Sequence, residues 1–173
     1  MEKLFLLDAY ALIYRAYYGF IKNPRINSKG ENTSAILGFV NTLEEILNKE
    51  NPQYIGVAFD PHGPTFRHDT FPDYKAQREE TPESIRFAVP IIKEILKAYR
   101  IPVLEVSGYE ADDVIGTLAQ QSQSLDGIDT YMMTPDKDYG QLVGKNVKIY
   151  KPRFDGGFDI IGEKEIIEKY GIR

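Results

Sequence analysis

Five short apolar runs, most of them followed closely by acidic residues, set the strongest limit on how this chain can fold. Leu4-Phe5-Leu6-Leu7 stops at Asp8, and Tyr54-Ile55-Gly56-Val57-Ala58-Phe59 stops at Asp60. The run over 101–106 leads to Glu110, Asp112 and Asp113, that over 130–134 leads to Asp136 and Asp138, and 147–150 is the fifth. They are mostly continuous rather than alternating, as in strands covered on both faces of a parallel sheet. Helical spacing fills the intervals. Residues 34–48 place Ile36, Val40, Leu43 and Leu47 on one stripe, and 83–99 do so with Ile85, Val89, Ile92, Leu96 and Tyr99. Residues 110–122 carry Ala111, Val114, Ile115 and Leu118. A tyrosine-rich helix is predicted after strand one, a short helix after Pro135 and another over 163–169. Strand–helix alternation predicts an α/β, doubly wound, mostly parallel sheet of about five strands flanked by helices. Ligands of such sheets sit at the carboxyl ends of the strands.

At 173 residues the chain is one domain's worth or a tight two-lobed unit, and it buries a sufficient core without cross-links. It has no cysteine, which excludes a disulfide scaffold, a thiolate zinc site and a cysteine nucleophile. His62 and His68 are its two histidines, too few for a histidine-based zinc enzyme to be expected. No apolar run approaches a membrane span and no signal-peptide pattern opens the chain, so the expected location is the cytoplasm. The 21 basic and 26 acidic residues give a net charge of −5, which taken alone speaks against a polyanionic partner.

The acids change that reading. Asp8, Asp60, Glu110, Asp112, Asp113, Asp136 and Asp138 all fall after strand exits and are expected at one sheet edge. Singly, each has an ordinary explanation. Ser107-Gly108-Tyr109-Glu110 fits a capping box with Ser107 as N-cap. Asp112 and Asp113 then fall where a helix dipole favours acids. Thr134-Pro135-Asp136 reads as another helix start, a form shared by Thr81-Pro82-Glu83. Together they are costly: two carboxylates about 4 Å apart repel by roughly 4 kcal/mol at an effective dielectric of 20. Hard divalent cations such as Mg²⁺ or Mn²⁺ relieve this through oxygen ligands. Two such ions about 4 Å apart form the clamp used for in-line phosphodiester displacement. Without the seven acids the balance of the remaining chain becomes +2, and two Mg²⁺ bring the whole from −5 to −1. The negative charge thus gathers where metal neutralises it.

Two segments stand outside the predicted core. Residues 23–33 form a polar loop, and 61–81 form a long insertion directly after Asp60, with both histidines, Pro61, Pro64 and Pro72. Long insertions in compact domains are usually functional. Arg67, Lys75 and Arg78 are placed to grip phosphates there, and Phe66, Phe71 and Tyr74 to stack on bases. The ordinary alternative is a solvated loop whose cations pair with Asp73, Glu79 and Glu80. Arg15, on the tyrosine-rich helix, reads either as a phosphate contact or as a carboxylate partner.

These residues resemble a known family. Leu7-Asp8-Ala9 with Tyr14-Arg15-Ala16-Tyr17-Tyr18, Phe66-Arg67-His68 with 74–78, Gly-Tyr-Glu-Ala-Asp-Asp at 108–113 and Thr-Pro-Asp-Lys-Asp at 134–138 resemble the 5′ nuclease domain of bacterial DNA polymerase I. That domain is of the flap endonuclease superfamily, with a PIN-like, resolvase-like fold and an arch insertion. The resemblance runs from residue 3 to the end of the chain. It implies a metal-dependent, structure-selective nuclease that removes 5′ flaps and RNA primers from DNA, a bacterial, cytoplasmic, nucleoid-associated monomer. Asp8, Asp60, Glu110 and Asp112 match the family's first metal cluster, and Asp113, Asp136 and Asp138 its second. Lys75 and Arg78 match catalytic basic residues of the arch, and Arg67 lies at its base. The resemblance also implies that residues 1–173 are the N-terminal lobe. The helix-hairpin-helix element and polymerase domains would then lie outside this chain, and the lobe alone is expected to be weakly active.

Two rivals remain: a PIN-type ribonuclease with the same carboxylate layout, and a non-catalytic module that binds branched DNA. A haloacid-dehalogenase-type phosphatase needs an aspartate two residues after Asp8, where this chain has Tyr10.

Overall fold

A computed structural model describes residues 1–61, 81–153 and 155–171. The predicted alternation is present. Strand β1 (Glu2–Asp8) is followed by helices α1 (Ala9–Gly19) and α2 (Ser34–Glu50), then β2 (Tyr54–Ala58), α3 (Glu83–Ala98), β3 (Val103–Leu104), α4 (Ala111–Ser122) and β4 (Ile128–Met133). A 3₁₀ helix (Lys137–Leu142), β5 (Val147–Pro152), β6 (Phe158–Ile161) and α5 (Glu163–Tyr170) complete the order.

The sheet order is β3-β2-β1-β4-β5-β6. The first five strands pair in parallel, and β6 returns antiparallel to β5. This sixth strand lies beyond the expected five. From β1 the chain winds outward through β2 and β3, then crosses back to place β4 on the other side of β1. That reversal opens a crevice at the carboxyl ends of β1 and β4, where α/β sheets bind ligands.

Side chains along the strands alternate between two cores, as a period of two requires. Phe5, Leu7, Val57, Tyr131 and Met133 face α1, α2 and α3, whereas Leu6, Ala58, Met132 and Ile149 face α4 and the 3₁₀ helix. Double burial is why the runs look continuous in sequence. Aromatic rings fill the first layer: Phe5 stacks on Tyr131 at 4.9 Å between ring centroids and meets Tyr150 edge-on at 5.2 Å.

Two helix faces differ from expectation. In α2 the buried stripe is Ala35, Phe39, Leu43 and Ile46, so Ile36, Val40 and Leu47 sit at its margin. The shift brings Gly38 against α1, where an added Cβ would meet the Ala16 Cβ at 2.5 Å. In α3, Ile85, Val89, Ile92 and Leu96 are buried as expected, but Tyr99 is exposed and donates to Glu44. Among the described residues no helix is long and apolar enough to cross a membrane.

Candidate metal centre

Strand exits deliver the acids to one edge. Asp8 is the last residue of β1 and caps α1, its Oδ1 accepting from the Ala11 amide at 3.4 Å. In the β1–β2 register Asp8 lies opposite Ala58, so Asp60 emerges two residues further along the same edge. The Ala111 amide, at the first residue of α4, donates to Asp60 Oδ1 at 2.7 Å. The exit of β2 is thereby tied to the helix that follows β3.

The start of α4 corrects the expected cap. Gly108 takes φ = +86°, and the Tyr109 amide closes a turn onto the Val106 carbonyl at 3.1 Å. The helix therefore begins later, with Glu110 as N-cap in place of Ser107. Asp113 is the residue that reaches back, its Oδ2 accepting from the Glu110 amide at 3.0 Å. One turn thus presents three carboxylates. Oxygens of Glu110, Asp112 and Asp113 all lie within 4.8 Å of one another, with Glu110 buried and Asp112 exposed. At that separation a pair of like charges repels by about 3.5 kcal/mol at an effective dielectric of 20.

The exit of β4 supplies the opposite wall. The Asp136 amide donates to Thr134 Oγ1 at 3.1 Å, and Asp136 Oδ1 caps the 3₁₀ helix by accepting from the Asp138 amide at 2.9 Å. A cleft of about 250 Å³ is lined by Asp112, Asp113, Asp136, Asp138, Tyr139, Gln141 and Leu142. Asp8 lies close enough to Asp60 and Asp112 for both to act on its charge. Burial, chiefly, and then the charges of Asp60 and Asp112 push the Asp8 carboxyl up to about 6, against the pull of the Ala11 amide and the Tyr139 hydroxyl. An all-oxygen, converging acidic donor set suits a hard divalent cation, so these residues fit the metal that the sequence implies.

All seven acids therefore emerge at the carboxyl edge. The structure brings Asp8 near Asp60 and Asp112, groups Glu110 with Asp112 and Asp113, and sets Asp112 and Asp113 across a cleft from Asp136 and Asp138. Arg15 has a partner that neither alternative named: its Nη2 donates to the Arg153 carbonyl at 2.8 Å. Arg67, Tyr74, Lys75 and Arg78 lie outside the described residues, as do both histidines. The sequence did not show that two hydroxyls of the 134–139 segment reach Asp8. Tyr139 and Thr134 both donate to Asp8 Oδ2, at 3.2 and 3.5 Å, from positions 131 and 126 residues away. The local motif marks the segment but not these long-range contacts.

With this edge described, comparison with known proteins is decisive. The family model for the 5′-3′ exonuclease N-terminal resolvase-like domain matches residues 3–171. The chain belongs to this family. It is 40% identical over 172 residues to a 5′-3′ exonuclease of Aquifex aeolicus, covering 99% of this chain and 57% of that protein. It is also 40% identical over 174 residues to DNA polymerase I of Geobacillus stearothermophilus, covering 99% of this chain and 19% of that protein. The chain thus spans little more than half of the first relative and about a fifth of the second. In fold it is similar to the bacteriophage T5 flap endonuclease solved with DNA and metal ions, with a TM-score of 0.68 at 18% identity, covering 99% of this chain and 61% of that one.

Proposed function

We propose that this chain is the N-terminal lobe of a divalent-metal-dependent, structure-selective 5′ nuclease acting on DNA. The observation that carries the reading is the gathering of acids from four strand exits at the carboxyl edge of the sheet, with Asp112 and Asp113 facing Asp136 and Asp138 across one cleft and Glu110, Asp112 and Asp113 oxygens within 4.8 Å of one another. Membership of the 5′-3′ exonuclease family supports the same chemistry.

In this reading Asp8, Asp60, Glu110 and Asp112 hold one ion, and Asp113, Asp136 and Asp138 the other, with Mg²⁺ or Mn²⁺ the expected metal. Bound there, the ions supply Lewis acidity and charge neutralisation for in-line displacement at a phosphodiester. The chain's own residues set the geometry. The Ala111 amide fixes Asp60, and the Ala11 amide and Tyr139 hydroxyl fix Asp8. Arg67, Lys75 and Arg78, assigned from sequence, grip phosphates of the 5′ strand, and Tyr74 stacks on a base. The substrates are 5′ flaps, nicks and primer junctions, RNA primers included, and the protein acts as a monomer in the cytoplasm. Part of the second ion's ligands and the duplex-gripping contacts would lie on a helix-hairpin-helix element outside this chain.

The test is single-turnover cleavage with a 5′-flapped DNA and a single-stranded RNA, using residues 1–173 and an extended protein that includes the next helical element. The flap is expected to be cut by the extended protein in Mg²⁺ and weakly by the lobe, with partial rescue by Mn²⁺. Preferential cleavage of the RNA would make the protein a PIN-type ribonuclease. Tight flap binding in EDTA with no cleavage in either metal would make it a binding module. Equal rates for lobe and extended protein would overturn the domain reading.

A further inference from the structure

We infer that Tyr139 is a positioning residue that orients Asp8 and ties it to the segment that carries Asp136 and Asp138. This rests on the metal-centre reading above and asks how the chain holds a buried carboxylate ready for a cation. Tyr139 sits in the 3₁₀ helix with its ring 3% exposed, in the same buried cluster as Ala111 and Ile115. Its hydroxyl reaches Asp8 Oδ2 at 3.2 Å while its ring lines the cleft. Thr134, fully buried, donates to the same oxygen at 3.5 Å and accepts from the Asp136 amide at 3.1 Å. Asp136 is thereby linked to Asp8 through one hydroxyl, and the 3₁₀ helix carrying Asp138 is linked through another. Among the described residues Oδ1 accepts from the Ala11 amide at 3.4 Å. The carboxylate is thus held at both oxygens, with Tyr139 the closest donor and the one that comes from the far end of the chain.

A neutral donor is the suitable choice here. A lysine or arginine at position 139 would cancel the charge that attracts the cation, whereas a phenol orients the carboxylate and leaves the charge in place. An ordinary phenol is neutral at physiological pH and offers one O–H donor. Groups that orient metal ligands in this way typically change metal affinity by about 10- to 100-fold when removed.

Calorimetric titration of Mn²⁺ into metal-free protein tests this, with melting temperatures recorded alongside. Tyr139→Phe keeps the ring and removes the donor. It is expected to weaken Mn²⁺ binding by about 10-fold or more, a loss of about 1.4 kcal/mol per tenfold. Thr134→Val, which removes the longer contact, is expected to weaken it less. An unchanged Mn²⁺ affinity in Tyr139→Phe overturns the inference, whether or not the metal-free melting temperature falls, because packing alone would then account for the residue. If Tyr139→Phe does not fold, unchanged affinity in Thr134→Val overturns the tie instead. Wild-type protein that takes up no Mn²⁺ refutes the metal-centre reading itself, a result separate from wild type and Tyr139→Phe binding alike.

Discussion

Neutralising Asp8 should stabilise the metal-free protein, and by an amount that depends on pH. The folded-state value of about 6 lies above the ordinary 3.8 because burial and the charges of Asp60 and Asp112 disfavour the carboxylate. The folded chain therefore keeps a proton that the unfolded chain has released. Its contribution to stability is fully present below about pH 4 and is lost as pH rises past about 6. The gap corresponds to about 3 kcal/mol at pH 8, falling to about 0.5 kcal/mol at pH 4. Asp8→Asn has nearly the same shape, still caps α1 and still accepts from Tyr139, but never ionises. In EDTA at pH 8 the variant is expected to melt higher by roughly 6–12 °C, at about 2–4 °C per kcal/mol for a chain of this size. The advantage should shrink toward zero near pH 4. Urea denaturation of both proteins across pH 4–8 in EDTA, repeated in saturating Mg²⁺, measures it directly. A variant less stable than wild type at pH 8, or an advantage independent of pH, would refute the electrostatic account of this edge.

Asp112→Asn should preserve or raise the metal-free melting temperature while abolishing the rise produced by Mg²⁺ or Mn²⁺; a large drop with the metal response intact would make Asp112 a structural cap. Gly38→Ala should cost about 1–3 kcal/mol in chemical denaturation, since its Cβ would meet the Ala16 Cβ at 2.5 Å and α1 and α2 would have to separate; a neutral result would mean that the helices part freely.

How much of this was legible in the sequence depends on the range of the interaction involved. Asp8 and Asp60 could be placed because each ends a doubly buried strand, and a parallel sheet puts strand exits on one edge. Strand β6 could not, because it covers the sheet margin only partly, with Asp159 and Ile160 exposed, and its return through Gly156 and Gly157 lies in a short turn. Ser107 was a reasonable cap by residue type, but the left-handed Gly108 spends those residues on a turn and leaves capping to Glu110. The stripe of α2 slipped because its packing against α1 hangs on Gly38, a residue without a hydrophobic signal. The partners of Tyr139, Thr134 and Arg15 were beyond reach because they lie 131, 126 and 138 residues away.

The place of β1 between β2 and β4 also bears on how the protein is made. Its β2 partner follows soon after, but about 120 residues separate the end of β1 from the start of β4. At a synthesis rate of about 5–20 residues per second, that interval lasts roughly 6–24 s. During it β1, with its Leu4-Phe5-Leu6-Leu7 run, has one flank without its final neighbour, a state that invites chaperone capture. The acids are better served by the same delay. Pairing of β1 with β2 brings only Asp8 and Asp60 to the edge, and the full set of repelling carboxylates meets once β4 has delivered Asp136 and Asp138 and the sheet exists to hold them together.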